Sequence, residues 1–443
     1  MKLPNLLATK FGRMTAFFSL YLTEGVPLGF TATAIATQMR RQGLGPAEIG
    51  AFVGTLYLPW AFKWAVGPFV DVLSSDRFGR RRMWIVLTQV MMVLTLMAAM
   101  PVNFTTELKL FTFVILLHNI FSATQDVAID ALAVNVLKES ERGTANGLMF
   151  AGAYLGQAIG GSGVLFLIPY TGLPATYVFV AAILMSVTLF VALPMKEPKG
   201  PPKPPREGSA LGAVTREIGT FTRDAYRAFT GSRAAWVGLI FAMLPAGAYA
   251  LSLALQSNLA VELGLNDNAI GRLALMSTVI SALCCVAGGW LSDRFGRRKM
   301  LALFFVGTAI PGLYLAWIMQ GHGWIMPVDP QMADRPVPAE GLVNAFWGAC
   351  LLFSVFQGLM YGTKAALFMD ITTPAVAATQ FTAYMAMSNL VISYSATWQG
   401  YAITRLGYPL TLVLDGVAGL VCIGLMPLMV KPTAKPEAVA GSN

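Results

Sequence analysis

Long apolar runs recur along the whole chain, and nothing else in it so narrows the folds open to it. The run from about 108 to 137 exceeds the ~20 residues needed to cross a bilayer as a helix. Further runs predict helices at about 14–39, 46–70, 83–101, 143–168, 174–195, 233–260, 268–292, 300–319, 342–371, 375–405 and 408–430. They are too long, and too free of alternation, for the strands of a closed barrel. With 56% hydrophobic and only 12% charged residues, no soluble globular class fits. The reading is an all-α integral membrane protein with twelve transmembrane helices. The short basic start, Met1 to Arg13, leads into a run too long for a signal-peptide core and is kept with helix one.

A net charge of +9 invites a nucleic-acid reading, but its distribution points elsewhere. Counted against the predicted helices, about 23 of the 31 Lys and Arg fall on one side, about 6 on the other and 2 within helices. That asymmetry is the positive-inside pattern, which predicts cytoplasmic termini and no nucleic-acid partner. Cys284, Cys285, Cys350 and Cys422 all lie in apolar runs, without disulfide or zinc spacing, and read as small core residues. No metal or cofactor site is expected. No nucleophile and base stand at usable spacing, so an enzyme is not expected.

The chain repeats itself. Asp76-Arg-Phe-Gly-Arg-Arg-Arg-Met83 returns as Asp293-Arg-Phe-Gly-Arg-Arg-Lys-Met300, each time after the second helix of a six-helix half. Two halves of equal hydropathy predict pseudo-symmetric bundles at 1–195 and 233–430. Between them, 196–232 begins proline-rich (Pro198, Pro201, Pro202, Pro204, Pro205). It continues with Leu211, Val214, Ile218, Phe221, Ala225 and Phe229 at helical spacing, while Arg216, Arg223 and Arg227 lie elsewhere on the helix. This predicts an amphipathic helix on the cytoplasmic membrane surface. The tail 431–443 has the composition of a disordered segment.

Charges inside apolar runs mark function, because a carboxylate facing lipid costs at least a few kcal/mol. Asp126 and Asp130 are four apart and share a helix face with Gln125 beside them. Glu24 lies about eleven residues into helix one, ~16 Å deep and close to the midplane. Lys63 stands eight residues before Asp71, and Asp130 stands eight before Lys138. Equal depth predicts a Lys63–Asp130 pair and leaves Asp126 and Glu24 without a basic partner. Glu24, Asp126 and Asp130 are therefore the candidate proton carriers. Lys364 is a candidate for an anionic group of the cargo, and Gln380, Tyr384 and Asn389 offer further donors and acceptors. Tyr57, Asn119, Gln256, Asn258 and Gln399 are possible lining, and His118 a possible relay. Gly152-Ala-Tyr-Leu-Gly156-Gln-Ala-Ile-Gly-Gly161 reads as a close-packing surface. It also nearly matches a stretch of drug/proton antiporters, with Gln157 where they carry proline.

Gly289-Trp-Leu-Ser-Asp293-Arg-Phe-Gly-Arg-Arg298 resembles the loop signature of the major facilitator superfamily. The first copy departs from it, so either Asp71 or Asp76 stands for the motif's aspartate. The resemblance implies a gate formed by Asp71, Asp76, Arg77, Arg80, Asp293, Arg294 and Arg297. Four patches sharpen it: Tyr21-Leu-Thr-Glu-Gly-Val-Pro-Leu28, Lys63-Trp-Ala-Val-Gly-Pro-Phe-Val-Asp71, Ala123-Thr-Gln-Asp-Val-Ala-Ile-Asp130 and Ala378-Thr-Gln-Phe-Thr-Ala-Tyr-Met-Ala-Met-Ser-Asn389. Together they are similar to the peptide and acetyl-coenzyme A transporter branch, which includes muropeptide permeases of the AmpG type. That likeness implies a major facilitator fold. It also implies a proton-driven carrier in the bacterial inner membrane, importing a bulky polar metabolite and working as a monomer. Lys63 and Gln125 join Lys364, Gln380, Tyr384 and Asn389 as its candidate cargo contacts. A drug/proton antiporter and a ligand-binding receptor that does not translocate are the alternatives.

Overall fold

The computed structural model describes residues 5–73, 77–137, 142–198, 209–230, 233–371 and 377–429. Among these, sixteen α-helices account for the architecture, and there is no strand. α1 (Lys10–Gly29) starts at Thr9, whose side chain accepts from Gly12 N at 3.0 Å, and runs through a π-helical stretch (Phe30–Ile35) into α2 (Ala36–Arg41). α3 (Pro46–Ala61) opens with proline in its first turn, and Glu48 accepts from Gly45 N at 2.7 Å.

The expected single helix over 46–70 is interrupted. A 3₁₀ turn (Lys63–Ala65) separates α3 from α4 (Gly67–Val72). Pro68 has no N–H to bond Trp64 O, which favours a break in the helix here.

α5 (Arg82–Ala99), α6 (Leu108–Val136) and α7 (Arg142–Ala158) follow. A second π stretch (Ile159–Gly163) leads into α8 (Val164–Val187), within which Gly172 leaves helical geometry at φ 76°. α9 (Ala210–Thr230) is the helix expected in the linker. It packs on α4 and, from the other half of the chain, on α10 (Arg233–Ala242) and α15 (Ala377–Leu406). Val214 and Phe229 are buried in these contacts, so part of the stripe expected to face lipid covers protein instead.

The helix expected over 233–260 is also broken. α11 (Ala254–Glu262) begins only after an irregular segment containing Pro245 and Gly247 at φ +84°. α12 (Asp267–Phe295), α13 (Arg297–Gly321), α14 (Glu340–Ile371), α15 and α16 (Tyr408–Val421) complete the chain. By length and composition alone, seven stretches among the described residues can cross a membrane. The interrupted α3 and α10 fall short of that length.

Small residues decide which helices touch. α1 lies on α7 with backbone against backbone: a Cβ on Gly25 would meet Ala153 O, and one on Gly156 would meet Leu22 O. The glycines of 152–161 are thus a packing surface. α12 meets α14 in the same way at Gly288 and Gly358. α3 and α15 form a seam between the two halves of the chain. There Gly50 faces Gly400, and Ser393 Oγ donates to Gly54 O at 2.6 Å. Gly156→Val is expected to cost the overpacking penalty of about 1–3 kcal/mol or more, since backbone cannot yield as a side chain does. Gly163→Ala, where the nearest neighbour of a Cβ is Ala158 O at 3.8 Å, should be tolerated. Recovery of monodisperse protein and its melting temperature in detergent compare the two.

Candidate functional site

Four charged side chains and one tyrosine converge within the first half. α1 supplies Tyr21 and Glu24, the 3₁₀ turn after α3 supplies Lys63, and α6 supplies Asp126 and Asp130. Lys63 Nζ donates to Asp126 Oδ2 at 2.9 Å and lies 3.9 Å from Asp130 Oδ2. Tyr21 OH donates to Asp130 Oδ1 at 2.6 Å. The expected Lys63–Asp130 pair is present at ion-pair distance, but Lys63 lies closer to Asp126, so the expectation that Asp126 has no basic partner is corrected. The depth argument assumed a continuous helix, whereas Lys63 stands in a 3₁₀ turn and reaches both carboxylates. Glu24 is half-buried, and its shielded Oε1 has no hydrogen-bond partner among the described residues. The Asp126 side chain is 7% exposed and that of Asp130 46%, so the cluster opens to solvent at Asp130. Three carboxyls around one ammonium leave up to two negative charges for protons or a cationic group to neutralise.

Gln125 lies beside the cluster but faces the bundle. Its Nε2 donates to Thr23 Oγ1 at 2.8 Å, Gln89 donates to the same oxygen at 3.2 Å, and Thr188 Oγ1 donates to Gln89 Oε1 at 2.8 Å. This buried network orients α1 and α6, which carry the carboxyls. His118 is buried with its Nδ1 2.9 Å from Met92 O, again within the bundle.

In the second half α14 carries Lys364, which is 6% exposed. Its Nζ donates to Tyr249 OH at 3.5 Å and sits 5.7 Å from the centre of the Tyr361 ring. No carboxylate lies within ion-pair distance of it among the described residues. Burying such a cation is costly unless something anionic or richly polar faces it. Tyr384 and Gln380, expected as cargo contacts, are fully buried. Tyr384 donates to Ala235 O at 3.2 Å and stacks on Phe368, so it is part of the packed core. Asn389 is half-buried on α15.

Between the halves lies a cavity of about 110 Å³. Its polar lining is Thr33, Tyr57, Gln157, Ser252, Gln256 and Ser257, all uncharged. Tyr57 and Gln256 were expected there. Gln399 was too, but it bonds Asp415 instead.

The end of the molecule where α2 meets α11 is closed by a charge network that the sequence did not suggest. Arg40 donates to Glu262 Oε1 from Nε at 3.0 Å and from a terminal nitrogen at 2.6 Å. Tyr408 OH donates to the same oxygen at 2.6 Å, and Val328 N donates to Glu262 Oε2 at 2.9 Å. Both charged side chains are buried, at 3% and 0% exposed. Arg41 and Gln38 reach Asp267 at 2.7 and 3.2 Å. The contacts of Arg40, Arg41 and Gln38 with Glu262 and Asp267 join the two halves of the chain. In sequence Arg40 and Arg41 look like helix-end topology signals, and a pair of charges flanking different runs was the only clue.

At the opposite end several contacts of the repeated loops, among the described residues, lie within their own halves. Arg297 bonds Asp370 Oδ1 at 2.6 Å, Arg294 lies over Trp290, Arg77 lies over Phe78, and Glu197 accepts from Arg81 N at 2.9 Å. Arg80 is half-buried near them. Asp71 lies in α4 and Asp293 near the end of α12, while Asp76 lies outside the described residues.

The family model of the Major Facilitator Superfamily matches residues 13–396, and again 237–442. The chain belongs to this superfamily. It is 26% identical to the anhydromuropeptide permease of Escherichia coli K12, over 94% of this chain and 79% of that one. It is 25% identical to the putative transporter AmpG 4 of Rickettsia conorii, over 69% and 74%. Among solved structures, the xylose transporter XylE from E. coli in its inward open conformation shares 14% identity and a TM-score of 0.68, covering 97% of this chain and 98% of that one. The nucleoside transporter NupG shares 12% identity and a TM-score of 0.67, over 95% and 98%. The protein is thus a multi-pass membrane transporter of the secondary type, not an enzyme, with the muropeptide permeases among its relatives.

Proposed function

We propose that this protein is a proton-coupled importer of a muropeptide-like metabolite in the bacterial inner membrane. It works by alternating access through twelve spans, six in 1–195 and six in 233–430, with both termini cytoplasmic. In this reading the Arg40 end faces outward and is shut, while the basic-loop end faces the cytoplasm. Glu24, Asp126 and Asp130 hold the coupled proton, and Lys63 is the counter-ion they exchange. Lys364 receives an anionic group of the cargo, and the uncharged cavity lining receives its hydroxyls and amides. The observation that carries the reading is the pairing of two unlike sites. One half has three carboxyls around a single ammonium, and the other half has a buried ammonium with no carboxylate partner among the described residues. A cargo carrying both sugar-like and acidic groups suits the second site, and the name of the permease relative points the same way. The charge distribution supports the orientation.

The test is uptake into proteoliposomes under an imposed pH gradient, inside alkaline, with labelled muropeptides, free peptides and uncharged sugars. Muropeptide should accumulate, and a protonophore should stop it. Lys364→Gln should raise KM roughly tenfold or more for acidic cargo while leaving an uncharged analogue less affected. Cargo that binds without entering would make the protein a receptor. Accumulation that ignores the pH gradient would remove proton coupling.

A further inference from the structure

We infer that Asp415 is a positioning residue for the closed Arg40 end, acting by pinning the break between α10 and α11. Asp415 lies on α16 and is 2% exposed. Its Oδ2 accepts from Tyr249 N and Ala250 N, both at 2.9 Å, and its Oδ1 accepts from Gln399 Nε2 at 2.7 Å. No basic side chain lies within ion-pair distance of it among the described residues. This is a buried carboxylate spent on two backbone amides that no helix satisfies. Those amides are orphans because Pro245 and Gly247 have already broken the helix.

The rest of the break is tied down from the same side. Gly247 N donates to Gly419 O at 3.1 Å, Cys422 Sγ donates to Pro245 O at 2.8 Å, and Ala248 N donates to Thr308 Oγ1 at 3.0 Å. α13, α16 and the turn after α16 thereby hold the segment that leads into α11. The other end of α11 is Glu262, the acceptor for Arg40 and Tyr408. A nine-residue half-helix whose lead-in segment and far end are both tied down cannot tilt far without losing one set of bonds. Asp415 is thus the inner anchor of the element whose outer tip closes the Arg40 end. Tyr249, which shares the anchored segment, also receives Lys364, so the anchor borders the site assigned to cargo.

The inference rests on the reading of the Arg40 end as a gate, and the experiment separates the two. The four native cysteines are replaced by serine, which keeps a donor at 422, and Ala32→Cys is introduced in the cavity lining. Whole cells are treated with a membrane-impermeant maleimide from outside. Glu262→Gln serves as the control for the gate and should raise labelling. Asp415→Ala should raise labelling roughly tenfold, the factor expected when buried amides lose their acceptor in one state of a two-state equilibrium. Asp415→Asn should label like the parent. Its Oδ1 takes over both amides, and Gln399, whose Oε1 is unpartnered, can turn to meet the new Nδ2. Thr308→Val removes only the acceptor of Ala248 N and should shift labelling in the same direction, which keeps the test usable if Asp415→Ala does not fold. If Glu262→Gln labels strongly while both Asp415→Ala and Thr308→Val label like the parent, the anchor role is wrong and the gate stands. Equal labelling of Asp415→Asn and Asp415→Ala would also overturn it, because then charge and not acceptor geometry matters. A silent Glu262→Gln removes the gate reading itself.

Discussion

Glu262→Gln is expected to open the Arg40 end and to lower thermal stability together. Arg40 is 3% exposed and surrounded by groups arranged for an anion, so losing the carboxylate leaves a buried guanidinium with only carbonyl partners. Breaking one side of such a pair costs about 3–5 kcal/mol. That is enough to turn a closed end into one open in most molecules. Uptake should fall sharply, because a carrier that cannot shut one end cannot hold its cargo through the cycle. Arg40→Met combined with Glu262→Leu removes both charges, and much of the lost melting temperature should return. Transport should not return, because an apolar patch lacks the directional bonds that re-form on closing. Melting curves alongside outside labelling of Ala32→Cys decide it. Unchanged labelling in Glu262→Gln would mean that the network only braces the fold.

The second large effect is expected at Asp126. Asp126→Asn keeps the shape of the site and leaves Lys63 within 3.9 Å of Asp130, so the protein should fold. Gradient-driven accumulation should drop by at least about a hundredfold while exchange of cargo across the membrane persists, as for a transporter that has lost coupling but not access. Lys63→Met is harsher, because three carboxyls then share no ammonium among the described residues, and yield should collapse. Lys63→Met with Asp126→Asn should recover yield without recovering accumulation, a non-additivity expected of neighbours in one charge network. Comparing pH-driven uptake with counterflow in all three gives the answer. Full accumulation in Asp126→Asn would return helix α6 to a purely structural role.

The overall architecture was legible because hydropathy and an octapeptide repeat both survive averaging over many residues. Charges in apolar runs were legible for the opposite reason, since each is expensive where it stands. Glu24, Lys63, Asp126 and Asp130 do converge. That Lys63 reaches Asp126 more closely than Asp130 was not readable, because Lys63 stands in a 3₁₀ turn where an unbroken helix was expected. The break before α11 was hidden in the same way: Pro245 and Gly247 sit in a run that still averages as apolar. The Arg40–Glu262–Tyr408 network was out of reach, since its members are 222 and 146 positions apart. Each looks by itself like an ordinary helix-end residue. Tyr384 and Gln380 were chosen for polarity and spacing, which do not say whether a face meets the cavity or the core.

The seam of α3 against α15 has a mechanical consequence. Side-chain contacts can stretch and re-form by changing rotamer, but at Gly50 and Gly400 the surfaces in contact are main chain and have no such slack. Two stiff bodies touching along a line of that kind roll about it and do not slide, which makes the seam a fulcrum. A roll of roughly 15° about the seam moves a point ~12 Å from it by ~3 Å, about one hydrogen bond. The displacement has opposite sense at the two mouths. A wedge lodged at the basic-loop mouth would therefore hold the Arg40 mouth shut without touching it.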